Sequence, residues 1–438
     1  LKRDPITKTL QVLMKKALKT TLSQPSLRRL GGVLTALAGS ALLTACSVGQ
    51  ITAPSNNISL IVSPTTNELL VFDLLTHRVI TQLETGNRPD DLAVSSDSRR
   101  ILVTNINDGS VSIFERLTGT EFISRGKVTV QGTLPQGVVF NSTGTRAYVA
   151  VGDTATIATL DTSVPSRLPN VIAQGVVRLN TGTNQTKRPS PSQMAVSPDN
   201  TRLFVVDRAN GRLLAFNINP GQDTITPAEF FQIPVTVTSD LRDLAVDRAG
   251  RVYVLNTASD ELLVFNAANI QQPVAQVSLR DNQIPANVPV SPENIAVNNA
   301  GSKMYITGSS ANVLTVIPNP RALAGNINLQ SVGRNIPLNT DPRRPTTSPN
   351  GVDVTSNDKL IYVANGGGGY NISLINGETD LPTRSFGTSA NAATSSPLGR
   401  LKVVFYGTPG VLGQAIQSER VATPEQPTSS FRFFFDNP

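Results

Sequence analysis

One pattern recurs seven times along the chain, and a repeat of that kind restricts the possible fold more than any other feature. Each copy is an apolar strand, a short polar turn and a second apolar strand that often ends in Asp or Asn. The copies are LIVSPTTNELLVFD (60–73), LVTNINDGSVSIFE (102–115), YVAVGDTATIATLD (148–161) and FVVDRANGRLLAFN (204–217), followed by YVLNTASDELLVFN (253–266), YITGSSANVLTVIP (305–318) and YVANGGGGYNISLIN (362–376). Equivalent apolar positions fall at Phe72, Phe114, Leu160, Phe216, Phe265, Ile317 and Ile375. The last copy carries one extra residue, within its Gly366–Gly369 turn.

A second element precedes six of the seven copies: DLAVSSDSRR (91–100), GVVFNSTGTR (137–146), QMAVSPDNTR (193–202), DLAVDRAGR (243–251), NIAVNNAGSK (294–303) and GVDVTSNDK (351–359). Each reads as a short strand followed by a Ser/Pro/Asp/Asn/Gly turn, residues that tolerate a tight reversal. After each paired strand comes another β-rich run, such as RVITQLE (78–84) or PVAQVSL (273–279). The unit is four strands, A to D, in an up-and-down sheet. A lone sheet could not bury both apolar faces of strands such as LLVF, whereas seven sheets in a ring could. The expected fold is therefore all-β: a seven-bladed β-propeller of four-stranded antiparallel blades over 59–400.

The first copy begins at strand B with no A strand before it, so a C-terminal strand should close the ring. The A-like stretch NAATSSPLGR (391–400) suggests 391–397 for that role, with an eighth partial blade built on LKVVFYG (401–407) as the competing arrangement. The C-terminal tail spans 401–438 and reads as largely irregular after 407, its FRFFF cluster (431–435) expected to pack on the propeller.

The motifs LAVSSDS, MAVSPDN, YVANG and LLVFD resemble those of the YVTN-repeat β-propeller family, to which surface-layer and lactonase-type propellers are related. The resemblance covers roughly 59–400. Its motifs encode turns and strand packing, so it implies the fold and leaves activity open.

The N-terminus explains the charge. Gly31 to Ala45 is a 15-residue uncharged run of small and apolar residues behind Arg28 and Arg29, the form of an export signal. It is shorter than the roughly 20 residues a membrane-spanning helix needs. It ends in Leu43-Thr44-Ala45-Cys46, which resembles a bacterial lipobox, with cleavage between Ala45 and Cys46 and lipidation of Cys46, the only cysteine. Met14-Lys15-Lys16 looks like the start of the signal, making 1–13 an expected upstream extension, and 46–58 reads as a lipidated tether. Residues 1–45 hold eight Lys/Arg and one acid, Asp4, so of the chain's 38 basic and 31 acidic residues, 30 of each remain in 46–438. The processed protein would be formally neutral, which removes the charge argument for nucleic-acid binding. The expected location is the bacterial cell envelope, lipid-anchored on the periplasmic or cell-surface side. With Ser47 after the cysteine, the outer membrane is favoured if the organism has one.

Propeller geometry brings the D-to-A and B-to-C loops together around one mouth of the central channel. The residues leading into strand A are Asp90, Gln136, Ser192, Arg242, Glu293 and Asn350; the next register is Asp91, Gly137, Gln193, Asp243, Asn294 and Gly351. Two readings are open: a small-ligand or cation site, or a solvated rim. The single histidine, His77, falls in a C-to-D turn on the opposite face, so clustered imidazole or thiolate sites for haem, copper or zinc are not expected. No cofactor is expected, although calcium is compatible with the carboxylates present. No G-x-S-x-G elbow presents a serine, and the glycine run at 366–369 lies between strands rather than opening a helix.

The expected function is a non-enzymatic binding or scaffold module for an envelope protein, glycan or surface layer. The alternative is a metal-assisted, lactonase-like hydrolase at the channel mouth, using Asp90, Asp91, Asp243 or Glu293. The alternative requires two or more rim carboxylates within about 5 Å of one point.

Overall fold

The computed structural model describes residues 57–405 apart from 165–166, 173–175, 180–186, 220–223, 234–238, 324–332, 339–347, 368–369 and 389–396. The signal segment, the Ala45–Cys46 processing site, most of the tether and the tail beyond 405 lie outside the described residues. So do the Phe cluster at 431–435 and most of 391–397.

Seven antiparallel sheets follow one another in the expected order, each built from strands A to D. The inner A strands are Pro89–Val94, Pro135–Phe140, Pro191–Val196, Leu241–Val246, Pro292–Val297 and Pro349–Val354, with Leu401–Phe405 closing blade one. Each inner strand contacts the next around the ring, and Leu401–Phe405 contacts Pro89–Val94, so the circle is complete. In blade three the outer strand is split into Asn170–Val171 and Val177–Arg178, both paired to Thr156–Asp161.

Packing shows why the repeat needs a ring. Seven apolar clusters fill the seven gaps between neighbouring blades; that between blades five and six joins Tyr253, Leu262 and Val264 to Met304 and Ile306. Strands B and C bury residues of both faces, as in Arg100–Asn105, where every residue is buried. The first apolar position of the repeat anchors these clusters through Tyr253, Tyr305, Tyr362 and Phe204, all essentially inaccessible. Burying an aromatic side chain contributes roughly 1.5–3 kcal/mol, which no isolated blade could collect.

The closing strand is not where the sequence suggested. Leu401–Phe405 pairs antiparallel with Asn57–Ser63, placing Leu401 opposite Ile61 and Val404 opposite Ile58. This segment, expected to be tail or part of an eighth blade, is the innermost strand of blade one. The reason is topological. Elsewhere an A strand is recognisable by the turn that leads into strand B, but here the chain does not continue into strand B. LKVVF therefore lacks its identifying turn, and the Ser-Pro-Leu-Gly before it imitates one.

Candidate functional site

The six A strands of blades two to seven share a register irregularity near their start: between Pro89 and Leu92, Pro135 and Val138, Pro191 and Met194, Leu241 and Leu244, Pro292 and Asn294, and Pro349 and Gly351. A bulge leaves one residue unpaired and re-aims its side chain. Those bulges contain the first register in all six strands and the second in blades two to five, while Asn294 and Gly351 pair with Thr307 and Ala364 just beyond them. Five of the six strands open with proline, which has no N–H to waste at a strand start. The loops leading in are gripped by acids and amides of the B-to-C turns: Asn67 accepts from the Arg88 N–H (2.7 Å), Asp260 from Val290 and Ser291 (2.9 and 2.8 Å), and Asn312 from Ser348 (2.6 Å). Arg88, Ser291 and Ser348 occupy equivalent places and all have φ near +55° (54°, 53° and 55°). Non-glycine residues held there carry strain that the surrounding bonds must sustain.

The first register converges. Asp90, Gln136, Ser192, Arg242, Glu293 and Asn350 line one cavity of about 450 Å³ at the channel mouth, joined by Arg88, Arg208 and Arg400. Arg242 bonds Asp240 through Nε (2.8 Å) and lies 3.5 Å from Glu293, while Arg208 takes the other Asp240 oxygen at 2.9 Å. Asp90 makes no hydrogen bond or ion pair with the described residues. Burial raises its carboxyl above the ordinary aspartate range, against the pull of Arg400, Arg88, Arg208 and Arg242. Burial likewise raises Glu293, opposed by Arg242 and Arg400, with a long bond from Ser309 (3.4 Å). Gln136 Oε1 and Ser192 Oγ are buried without a partner among the described residues, an arrangement that costs free energy unless something polar engages them.

The second register does different work. The Asp91 carboxylate accepts the N–H of Val138 in the next blade (3.0 Å). Asp243 accepts the Ile295 N–H (3.0 Å) and the Asn294 amide (2.5 Å), and Asn294 in turn accepts the Val352 N–H (2.7 Å). Asp353 passes the chain of bonds to blade one by accepting from Val403 (2.8 Å). Gly137 serves by absence, since a Cβ there would sit 2.0 Å from the Ser192 carbonyl oxygen; at Gly351 it would sit 2.7 Å from that of Gly399. Gln193 lines both the mouth and a second cavity of about 710 Å³ beneath it.

Arg400 was missed by sequence reading. Pairing Leu401 with Ile61, as Leu92 pairs with Val103, makes Arg400 the blade-one equivalent of Asp91. Its guanidinium crosses the bore to Asp243 (2.9 Å) and approaches Asp91 (3.9 Å). Burial alone would lower its pKa; Asp243, Asp91 and Asp90 more than reverse that and hold it protonated. Asp91 is raised by burial to about 6 in spite of this partner. Misplacing the closing strand hid the residue; the alignment of Gly-Arg-Leu-Lys-Val-Val with the other A strands would have exposed it.

His77 stays apart from this site. It lies in the C-to-D turn of blade one, stacked on Phe386 with ring centroids 4.3 Å apart, and its Nδ1 accepts from Arg384 (2.8 Å). Burial, and then Arg384, lower its pKa to about 3.

The donor set does not suit a divalent metal. Two carboxylates, Asp91 and Asp243, do converge, but on a guanidinium rather than on an open coordination position. Among the described residues no three Asp, Glu, His or Cys side chains form a group that could hold an ion. Calcium and other hard cations need at least that many oxygens to displace their water.

The model of a family described as "Lactonase, 7-bladed beta-propeller" matches residues 125–291, from the outer strand of blade two to the start of blade six. No curated protein matches. Among solved structures, a periplasmic gluconolactonase of Pseudomonas aeruginosa superposes with a TM-score of 0.64 at 15% identity, covering 80% of this chain and 99% of that one. A candidate 6-phosphogluconolactonase from Bacteroides uniformis gives 0.61 at 15% identity, covering 80% and 100%. The hydrazine synthase of Kuenenia stuttgartiensis gives 0.54 at 17% identity, covering 75% and 98%. At such identities the likeness establishes the fold. The family match, with lactonases among the structural neighbours, overturns the expectation of a non-enzymatic scaffold.

Proposed function

We propose that this propeller is a lactone hydrolase working at the channel mouth. The observation that carries the reading is the mouth cavity itself, where two burial-raised carboxyls, Asp90 and Glu293, stand among four arginines and two unpartnered polar atoms. The partial match to a lactonase family supports it. Hydrolysis needs a base to take a proton from water, a cation to stabilise the carbonyl oxygen as it becomes an oxyanion, and a donor for the leaving ring oxygen.

Asp90 fits the base, being the mouth carboxyl with no hydrogen-bond or ion-pair partner among the described residues. As its carboxylate takes a proton, the water oxygen bonds to the lactone carbonyl carbon. When the tetrahedral intermediate collapses, the ring C–O bond breaks and that proton returns to the ring oxygen, giving a hydroxy acid. Arg88 and Arg242 offer N–H donors for the oxyanion, while Gln136 Oε1 and Ser192 Oγ can position hydroxyl groups of the substrate. Asp91 and Asp243, offered by the sequence as alternatives, are committed to backbone N–H groups and to Arg400. No step uses a metal.

The proposed setting is the cell envelope, with Cys46 as a lipid anchor; more than one acyl chain is needed for stable attachment, a condition that diacylglycerol meets. Growth with labelled palmitate should mark the wild-type chain and leave Cys46→Ser unlabelled. The activity test is hydrolysis of aldonolactones by residues 46–438 above the spontaneous rate. Because it needs ionised Asp90, the rate should rise with pH through a limb above the ordinary aspartate value of about 4. A wild-type rate equal to buffer across a panel of lactones would remove the proposal.

A further inference from the structure

The closing strand does more than complete the ring, because the segment that leads into it forms one wall of the mouth. Pro397, Leu398, Gly399 and Arg400 all line the 450 Å³ cavity. Their backbone is tied down on both sides: Leu398 N–H to Asn365, Gly399 N–H to Val62, and the Asn350 amide to the Leu398 carbonyl (3.2, 2.9 and 3.3 Å). From this wall Arg400 reaches over to blade five at Asp243 and toward blade two at Asp91. Among the described residues the strand behind it covers five positions, Leu401–Phe405, and pairs with Asn57–Ser63. Its cross-bore ion pair therefore adds a non-local hold to a short local one.

We propose that Arg400 is a positioning residue that makes the mouth site conditional on ring closure: opening of the C-terminal strand withdraws a wall and a cation from the site, and a ligand held at the mouth keeps the strand shut. The two events are linked reciprocally, so each stabilises the other by the same factor. The identity of the ligand rests on the lactonase reading; the coupling of Arg400 to strand closure does not.

The test is amide hydrogen exchange on residues 46–438, comparing wild type, Arg400→Lys, Arg400→Met and the triple Arg400→Met, Asp91→Asn, Asp243→Asn, which leaves the cluster uncharged, with and without D-gluconate as product probe. In Arg400→Met, exchange is expected to rise at least tenfold together in 401–405, 89–94 and 241–246, with Arg400→Lys intermediate. The triple removes the stranded charges, so strand protection should return while the probe's protective effect stays lost. Two results would overturn the proposal: unchanged exchange at 401–405 in Arg400→Met, or recovery of probe protection in the triple, which would make Arg400 a charge-balancing strut. A wild-type protein that gluconate does not protect and that hydrolyses no lactone refutes the lactonase reading. Exchange at 401–405 in Arg400→Met still decides the coupling in that case.

Discussion

Asp90 and Asp91 are adjacent in the chain and serve opposite ends. The register that begins with Asp90 faces the mouth, with polar groups left open beside the Arg242–Asp240 ion pair. One residue further on, the register of Asp91, Asp243 and Asn294 forms a belt in which each side chain accepts a backbone N–H of the next blade. The bulge near the start of six of the seven inner strands separates the two roles over a single peptide unit. A binding surface with unspent hydrogen-bonding capacity can thus rest directly on a layer that has spent nearly all of its own. The belt supplies rigidity, and the mouth can then keep its open groups.

Substitutions on the two sides of this boundary should fail in different ways. The largest effect is expected at the mouth. Asp90→Asn should lower kcat by about 10² to 10⁴, the usual contribution of a general base, with a thermal midpoint equal to or above wild type, because a half-buried carboxyl with no partner among the described residues is removed.

The belt should show the reverse. Asp243→Ala takes from the Arg400 guanidinium its nearer partner, leaving it Asp91 at 3.9 Å, and leaves the Ile295 N–H and the Asn294 amide without their acceptor. Breaking one side of a buried pair costs about 3–5 kcal/mol, read as a fall in the urea midpoint of unfolding.

Next in size is a pH effect at Asp91. Its folded pKa of about 6 lies above the model value of 3.8, so the unfolded chain gives up the proton first as pH rises. The group therefore costs stability progressively between pH 4 and 6, about 1.4 kcal/mol per pKa unit, and the cost persists above pH 6. Asp91→Asn keeps an acceptor for the Val138 N–H, so its stability relative to wild type should rise from pH 4 to pH 7. A flat difference would contradict the assignment. Smallest is Gly137→Ala, where a Cβ would sit 2.0 Å from the Ser192 carbonyl oxygen. Shifting one inner strand should cost about 1–3 kcal/mol.

Much of this was legible in the sequence because the repeat carries its own punctuation. Each Ser/Asp/Gly turn located an A strand, and counting back from it found both registers on six blades. What the repeat could not say is that consecutive residues diverge, since that depends on the bulge, which leaves no separate sequence mark. Arg400 was hidden for another reason: its strand has no following turn to mark it, and only alignment with the other A strands places it, so the blade joining the two ends of the chain was the least readable. The carboxylates that the sequence offered to a metal were misread for a related reason. Asp91 and Asp243 look like free ligands until their partner from the far end of the chain is placed between them.

The measurement that most directly tests the account is steady-state hydrolysis of D-glucono-δ-lactone by residues 46–438, wild type against Asp90→Asn, with spontaneous opening subtracted and thermal midpoints recorded in parallel. The account predicts a saturable wild-type rate above background that falls at least 100-fold in the variant with no loss of thermal stability. Equal rates in the two proteins, or a variant that loses activity only because it unfolds, would contradict the division between an open mouth and a closed belt.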